Sequence, residues 1–309
     1  MSPRGRARSA VIDVGSNTIH LLVGEVEDGA VLPVTGEKVS ARLGSGVDET
    51  GRIEEARIPV AAEAIWLFAR LAALNGATET AVLATSAVRD AKNGDALIEE
   101  VQEKTGLRVH LISGKEEALL GFRGAISALG PDFLWEAPAL VVDLGGGSAQ
   151  LIFGDAANGP EKQVSLPLGT NRTTERYVDH DPPIPEELEA LRETVPDMLP
   201  GWNLPEETAI VAIGGSARAI LKLTRDELTR ERLQELAAEI SEKPSAVLAR
   251  ENGLAPERTR VLPAAVTTLA AVLERYDKPH LTVARGGIRE GAILTMAAEA
   301  LNSNLNWGN

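Results

Sequence analysis

The sequence predicts an α/β protein in two halves, and three observations lead there. Apolar strand-like runs alternate with helical stretches along the whole chain, with no low-complexity tract. At 309 residues, the chain is long enough for about two domains. One pattern occurs twice, once per half: an apolar strand, an Asp, a Gly turn, a hydroxyl residue and a second apolar run. The first copy is Val11-Ile12-Asp13-Val14-Gly15-Ser16-Asn17-Thr18, leading into Ile19 to Val23. The second is Val141-Val142-Asp143-Leu144-Gly145-Gly146-Gly147-Ser148-Ala149-Gln150, leading into Leu151 to Phe153. Three consecutive Gly suit a tight turn, because Gly alone takes positive φ without steric cost. Their N–H groups are also free to close around a phosphate oxygen. Either copy alone reads equally as a hairpin turn with a capping Asp. Two copies favour a pair of phosphate loops facing each other across a cleft.

Composition narrows the chemistry. Hydrophobic residues make up 44% and charged residues 25%, the balance of a soluble globular chain. There is no Cys, which excludes disulfides, iron–sulfur clusters, thiolate zinc and Cys nucleophiles. His20, His110, His180 and His280 are scattered without metal-ligand spacing. A metal would therefore be hard and oxygen-bound, which suits Mg²⁺. The net charge of −14, from 31 basic and 45 acidic residues, argues against non-specific nucleic-acid binding. It leaves room for a polyanionic substrate wherever Arg, Lys, backbone N–H and Mg²⁺ are concentrated. Aromatics at 3% argue against a base-stacking platform. No apolar run reaches the roughly 18 residues that span a bilayer. Arg4, Arg6 and Arg8 read as a solvated tail rather than a secretory signal, so the expected location is cytoplasmic.

Taken in order, Ser9 to Val14, Ile19 to Glu27 and Ala30 to Leu43 read as strands, with Asp28-Gly29 as a hairpin signal. Glu54 to Leu74 has helical periodicity and stops at Asn75-Gly76; Trp66 and Phe68 read as core. Thr80 to Ala84 is a short strand ending in Thr85-Ser86-Ala87-Val88-Arg89. Hydroxyls and an Arg beyond a strand's C-terminal end suit anion binding; a capped turn with a solvated Arg is the other reading. Asp95 to Thr105 reads as a helix and Leu107 to Ile112 as a strand. Ser113 then opens a helix, with Glu116 three residues on completing a capping box. Glu117 is left without a structural task; it reads as an exposed acid complementing the helix dipole or as a general base.

Gly130 to Pro138 reads as a linker. The Asp143 strand, Leu151 to Phe153 and Gln163 to Leu166 follow as strands, and Gly169 to Glu175 enters a helix. After the Pro-rich break Asp179 to Pro185 come a helix, Glu186 to Leu199, and a buried strand, Thr208 to Ile213. That strand ends in Gly214-Gly215-Ser216, a third phosphate-sized turn that simple strand–helix packing also explains. Leu228 to Ile240 and Ala246 to Asn252 read as helices, and the almost wholly apolar Pro263 to Tyr276 as a helix buried between layers. Leu281 to Ala284 is a strand, Arg285 to Gly291 a turn, Ala292 to Leu301 the last helix and Asn302 to Asn309 a frayed end.

The order of these motifs resembles the exopolyphosphatase/guanosine pentaphosphatase family, whose fold is that of actin-like, sugar kinase-like and Hsp70-like ATPases. The matching stretches are Asp13 to Thr18, Thr85 to Arg89, Ser113 to Ala118, Asp143 to Ser148, Gly169 to Glu175 and Gly287 to Gly291. The length is that of the short, two-domain members. The resemblance implies two actin-like (ribonuclease H-like) lobes around an interdomain cleft, the first of residues 1–124 plus about 296–309, the second of 125–295. It implies an exopolyphosphatase that hydrolyses the terminal phosphate of inorganic polyphosphate. Glu117 matches the family's catalytic base. Asp143 matches the Mg²⁺-associated carboxylate, with Asp13 opposite; Mn²⁺ is the other candidate ion. Ser16, Asn17, Thr18, Arg89, Gly145, Gly146, Gly147 and Ser148 match phosphate contacts.

Two positions depart from the family pattern. Gln150 stands where Glu is common, which removes a carboxylate; ecto-nucleotidases of the same superfamily are similar here, with Ser and Gln orienting the attacking water. Thr18 stands where Ser is usual and keeps the hydroxyl. The alternatives are guanosine pentaphosphate as the substrate of the same site, a non-hydrolytic actin-like ATP-binding protein or kinase with an adenosine pocket at Gly214-Gly215-Ser216, and a non-catalytic sensor. A homodimer, with neither nucleic acid nor membrane, completes the expected partners.

Overall fold

The computed structural model describes residues 7–129, 137–155, 158–224 and 226–301. Most of the expected linker from Gly130, the tail carrying Arg4 and Arg6, and the expected frayed end from Asn302 lie outside them. The chain divides into two compact units, residues 1–130 with 286–309, and residues 131–285.

In the first unit the strands are β1 (Arg8–Val14), β2 (Thr18–Glu27), β3 (Ala30–Ser40), β4 (Ala77–Ala84) and β5 (Val109–Leu111). The helices are α1 (Val47–Thr50), α2 (Arg57–Leu74), α3 (Ser86–Asp90), α4 (Gly94–Thr105) and α5 (Gly114–Leu129). The sheet runs in the order β3-β2-β1-β4-β5. β1 and β2 are antiparallel, as are β2 and β3, whereas β4 pairs parallel with both β1 and β5. Strand residues alternate between the faces. Ala10, Ile12 and Val14 join a core with Ile58, Ile65, Phe68 and Leu97 from α2 and α4. Val11, Leu22 and Leu83 join Leu120 and Ile293 on the opposite face. Trp66 is only half-buried, with the Arg70 guanidinium 5.0 Å over its ring.

In the second unit come β6 (Ala139–Leu144), β7 (Ala149–Asp155), β8 (Gly159–Leu166), α6 (Thr170–Tyr177) and α7 (Pro185–Met198). They are followed by β9 (Ala209–Ile213), α8 (Gly215–Leu223), β10 (Leu228–Thr229), α9 (Arg230–Ile240) and α10 (Ser245–Asn252). The unit closes with α11 (Pro256–Arg260), α12 (Leu262–Arg275) and β11 (His280–Val283). Its sheet order is β10-β11-β9-β6-β7-β8. Apart from β10, this repeats the first unit strand for strand, with an antiparallel trio β6–β8 and parallel pairs β6–β9 and β9–β11. Every residue of α12 from Leu262 to Leu273 is buried, as its continuous apolar run requires. The expected helix from Leu228 loses its first two residues to β10, which pairs with β11; Thr229 then caps α9 by accepting from the Arg232 N–H at 3.1 Å.

The expected domain limits need correction. The cuts at 124/125 and 295/296 would fall inside α5 and inside the last helix, α13 (Ile288–Leu301). These two helices pack on each other so closely that a Cβ at Gly291 or Gly124 would run into the backbone of Leu120 or Gly287. Both therefore belong whole to the first unit, and the limits move to 130/131 and 285/286.

Candidate active site

The two Asp–Gly turns have one construction. Asp13 lies opposite His20 in the β1–β2 register, and Asp143 opposite Gln150 in β6–β7. Each turn is closed by one backbone bond, Gly15 N–H to Thr18 O at 3.2 Å and Gly145 N–H to Ser148 O at 3.0 Å. The carbonyls inside each turn are held from behind. Ser16 O accepts from Gly44 N–H at 2.8 Å and Asn17 O from Arg42 N–H at 2.9 Å. In the second unit, Gly145 O and Gly146 O accept from Thr170 and Asn171 N–H, at 2.8 and 2.9 Å, at the start of α6. Peptide planes fixed by their carbonyls leave their amides turned away. Among the described residues, the N–H groups of Ser16, Asn17, Gly146, Gly147 and Ser148 have no partner. Successive open amides of this kind make an anion-binding nest.

The reason for glycine differs from the sequence expectation. None of Gly15, Gly145, Gly146 and Gly147 takes a positive φ. Close approach decides instead: a Cβ at Gly15 or Gly145 would stand 3.1 Å from Thr18 O or 3.0 Å from Ser148 O, the carbonyls that close the turns. Gly214 is the true conformational case, at φ +101°. A Cβ there would also lie 3.1 Å from Asp143 Oδ1, so this third turn abuts the Asp143 carboxylate.

Around the first turn, the C-terminal ends of β1, β4 and β5 bring the other candidates together. Thr85 N–H donates to Val14 O at 3.2 Å, and Ser86 Oγ lies 3.0 Å from Ser16 Oγ, binding the start of α3 to the turn. Arg89, on α3, donates from Nη1 to Ile112 O at 2.9 Å and to Glu117 Oε2 at 3.3 Å. Glu116 makes the expected capping box, accepting from Ser113 N–H and Oγ at 2.8 Å while its own N–H donates to Ser113 Oγ at 3.2 Å. Glu117 is not the exposed acid expected from its place in the helix. It is only 6% exposed and faces the Arg89 guanidinium, because a helix turned toward the strand ends points this position inward.

Asp13 has an orphaned oxygen, with Oδ1 buried and without a hydrogen-bond partner. Burial pushes its pKa up to about 6; the Arg289 charge pulls it back and Glu290 adds to the rise. A sealed, unpartnered carboxylate oxygen fits a hard cation. Among the described residues no group of three or more His, Cys, Asp or Glu is arranged to hold a metal. Such a donor set suits Mg²⁺, which keeps several waters and takes one or two carboxylates plus phosphate oxygens.

In the second unit, Gln150 is buried and donates from Nε2 to Ser148 Oγ at 2.7 Å and to Ser165 Oγ at 3.3 Å. Ser148 thereby keeps its own proton to donate elsewhere. The structure adds one group that the sequence reading missed. Arg258, on α11, donates from Nη1 to Ser216 Oγ at 3.1 Å, and a Cβ at Gly215 would stand 2.7 Å from its Nη2. Burial and the Arg218 charge hold its pKa below the usual arginine value. A desolvated guanidinium beside the Gly214-Gly215-Ser216 turn suits an anion. No local pattern marked it, because its partner lies 42 residues away.

Duplicated sheets of this order, each with an Asp–Gly hairpin turn open to an anion, define the actin-like phosphate-handling class of α/β proteins. The chain belongs to the Ppx/GppA phosphatase family, whose model matches residues 22–300. It is 30% identical over 305 residues to exopolyphosphatase 1 of Mycobacterium leprae, covering 93% of this chain and 88% of that one. It is 36% identical over 201 residues to exopolyphosphatase 2 of Mycobacterium tuberculosis, covering 62% of this chain and 61% of that one. Among solved structures, the Aquifex aeolicus Ppx/GppA enzyme superposes with a TM-score of 0.79 at 27% identity, over 94% of this chain and 99% of that one. An exopolyphosphatase-like protein superposes with a TM-score of 0.85 at 26% identity, over 96% and 99%. Family membership and fold together make the chain a hydrolase of the phosphatase type. No described helix is long and apolar enough to cross a membrane.

Proposed function

We propose that this protein is an exopolyphosphatase, releasing terminal phosphate from inorganic polyphosphate by Mg²⁺-assisted hydrolysis. The observation that carries the reading is the buried Glu117 carboxylate, 3.3 Å from Arg89, on a helix that needs only Glu116 for its cap. The exopolyphosphatase relatives support polyphosphate as the substrate class. Phosphoryl transfer asks a protein mainly for positioning and charge stabilisation. The open amides of each turn hold phosphate oxygens, Ser148 donates its hydroxyl proton to one, and Glu117 takes the proton of the attacking water. The Asp13 and Asp143 carboxylates are the candidate ligands for Mg²⁺, which would neutralise charge on the phosphates.

Comparing phosphate release from polyphosphate and from guanosine pentaphosphate, with Mg²⁺ present, tests the reading. The expected result is faster release from polyphosphate. Release from guanosine pentaphosphate alone would transfer the site to the nucleotide, and tight ATP binding without phosphate release would favour an actin-like scaffold.

The metal carries its own prediction. Below the unfolded carboxyl value of 3.8, Asp13 is protonated in both states and its stability contribution is whole. As pH rises toward about 6, the unfolded carboxyl ionises while the buried one resists, so stability is lost. The loss amounts to about 3 kcal/mol at most. In chelator, the Tm of the wild type should fall across this window relative to Asp13→Asn. Added Mg²⁺ should recover it at about pH 7 but not below about pH 4.5, where the carboxyl is protonated. Turnover should vanish on exhaustive chelation; a Tm indifferent to Mg²⁺ together with full turnover in chelator would rule the ion out.

A further inference from the structure

The guanidinium of Arg89 is only partly used. Nη1 spends its donors on Ile112 O, at 2.9 Å, and Glu117 Oε2, at 3.3 Å; Nε stands 3.5 Å from Asp90 Oδ1. Nη2 has no partner among the described residues, and the side chain is 25% exposed where Glu117 is 7% exposed. The backbone that carries Arg89 is fixed to the first turn twice, through Thr85 to Val14 O and through Ser86 to Ser16. The Ile112 carbonyl is fixed too, since Ile112 N–H donates to Ala84 O at 3.0 Å. A planar fork with one edge committed and the other open can hold two anions at a set separation.

We propose that Arg89 couples the base to the substrate: its Nη1 edge positions the Glu117 carboxylate while its Nη2 edge takes an oxygen of the terminal phosphate. One rigid group then sets the distance between proton acceptor and phosphorus. This rests on the exopolyphosphatase reading above and adds a positioning duty to a phosphate contact.

Three variants test it, with tripolyphosphate as the binding probe and polyphosphate as the substrate. Arg89→Ala should raise KM and lower kcat together, and free guanidinium should recover both where methylammonium does not. Arg89→Lys keeps the charge and loses the fork, so kcat/KM should still fall by about 10- to 100-fold. Thermal unfolding of both variants shows that they are folded. If Arg89→Ala raises KM and leaves kcat within about twofold, Arg89 is a phosphate contact alone. If it lowers kcat and leaves KM unchanged, Arg89 serves the base alone. Either result overturns the coupling. Glu117→Gln, measured in parallel, separates the two levels. Near-normal turnover there sinks the function reading and the coupling with it; lost turnover there with unaffected Arg89 variants sinks the coupling only.

Discussion

Glu117→Gln lowers kcat for polyphosphate by about 10²–10⁴-fold and leaves KM near its starting value, the scale of general-base assistance. The amide keeps the shape of the side chain and its bond from Arg89, and it removes the proton acceptor. Burial alters what the variant does to the fold. An exposed acid at a helix start could be exchanged almost freely, but Glu117 is buried against a guanidinium. Neutralising it turns a charge-assisted bond from Arg89 into a neutral one and leaves Asp90, 3.5 Å from Nε, as the remaining counter-charge, at a cost of about 1 kcal/mol, so melting curves must accompany the kinetics. Glu116→Gln is the internal comparison. Its carboxylate is engaged with Ser113 in the capping box, so it should lose about 1 kcal/mol of stability and little rate. Near-normal turnover in Glu117→Gln, or a larger rate loss from the Glu116 change, would show that the base is assigned to the wrong residue.

Gly169→Ala lowers kcat/KM by about 100-fold or more and destabilises the second unit by about 1–3 kcal/mol. Gly169 ends the segment that leads into α6, and a Cβ there would overlap Gly147 C, Ser148 N and Gly146 O. All three atoms belong to backbone, which cannot rotate aside as a side chain can. Relief requires the turn to move away from α6, and that breaks the Thr170 and Asn171 bonds to the Gly145 and Gly146 carbonyls. The peptide planes then lose the support that aims the Gly146 and Gly147 amides outward. Gly201→Ala is the matched comparison, because the nearest atom to its added Cβ would be Arg275 Nη2 at 3.6 Å. Wild-type kinetics in Gly169→Ala would mean that the turn tolerates displacement and is not the phosphate nest.

What the residues made legible by themselves were features that local chemistry sets. The duplicated Asp–Gly turns are contiguous stretches, and the structure repeats them in matched registers. The Ser113–Glu116 box is a three-residue relation, and the Asp28-Gly29 hairpin is an adjacent pair, here at φ 49° and 78°. The run of α12 had to be buried because all but Thr267 and Thr268 of its residues from Leu262 to Leu273 are apolar. Tertiary structure decided the rest, since the partners are distant in sequence. Arg89 reaches Glu117 across 28 residues, and Arg258 reaches Ser216 across 42. Whether Glu117 is a surface acid or a buried one depends on which way α5 is rolled. That roll is set by the packing of α5 against α13, whose backbones approach through Gly124 and Gly291. The same contact carries the last helix back to the first unit, a pairing that no local pattern marks because the whole second unit lies between the two helices in the sequence. Periodicity in a sequence states that a helix has an inward face; only the neighbours it meets determine which residues that face brings to the chemistry.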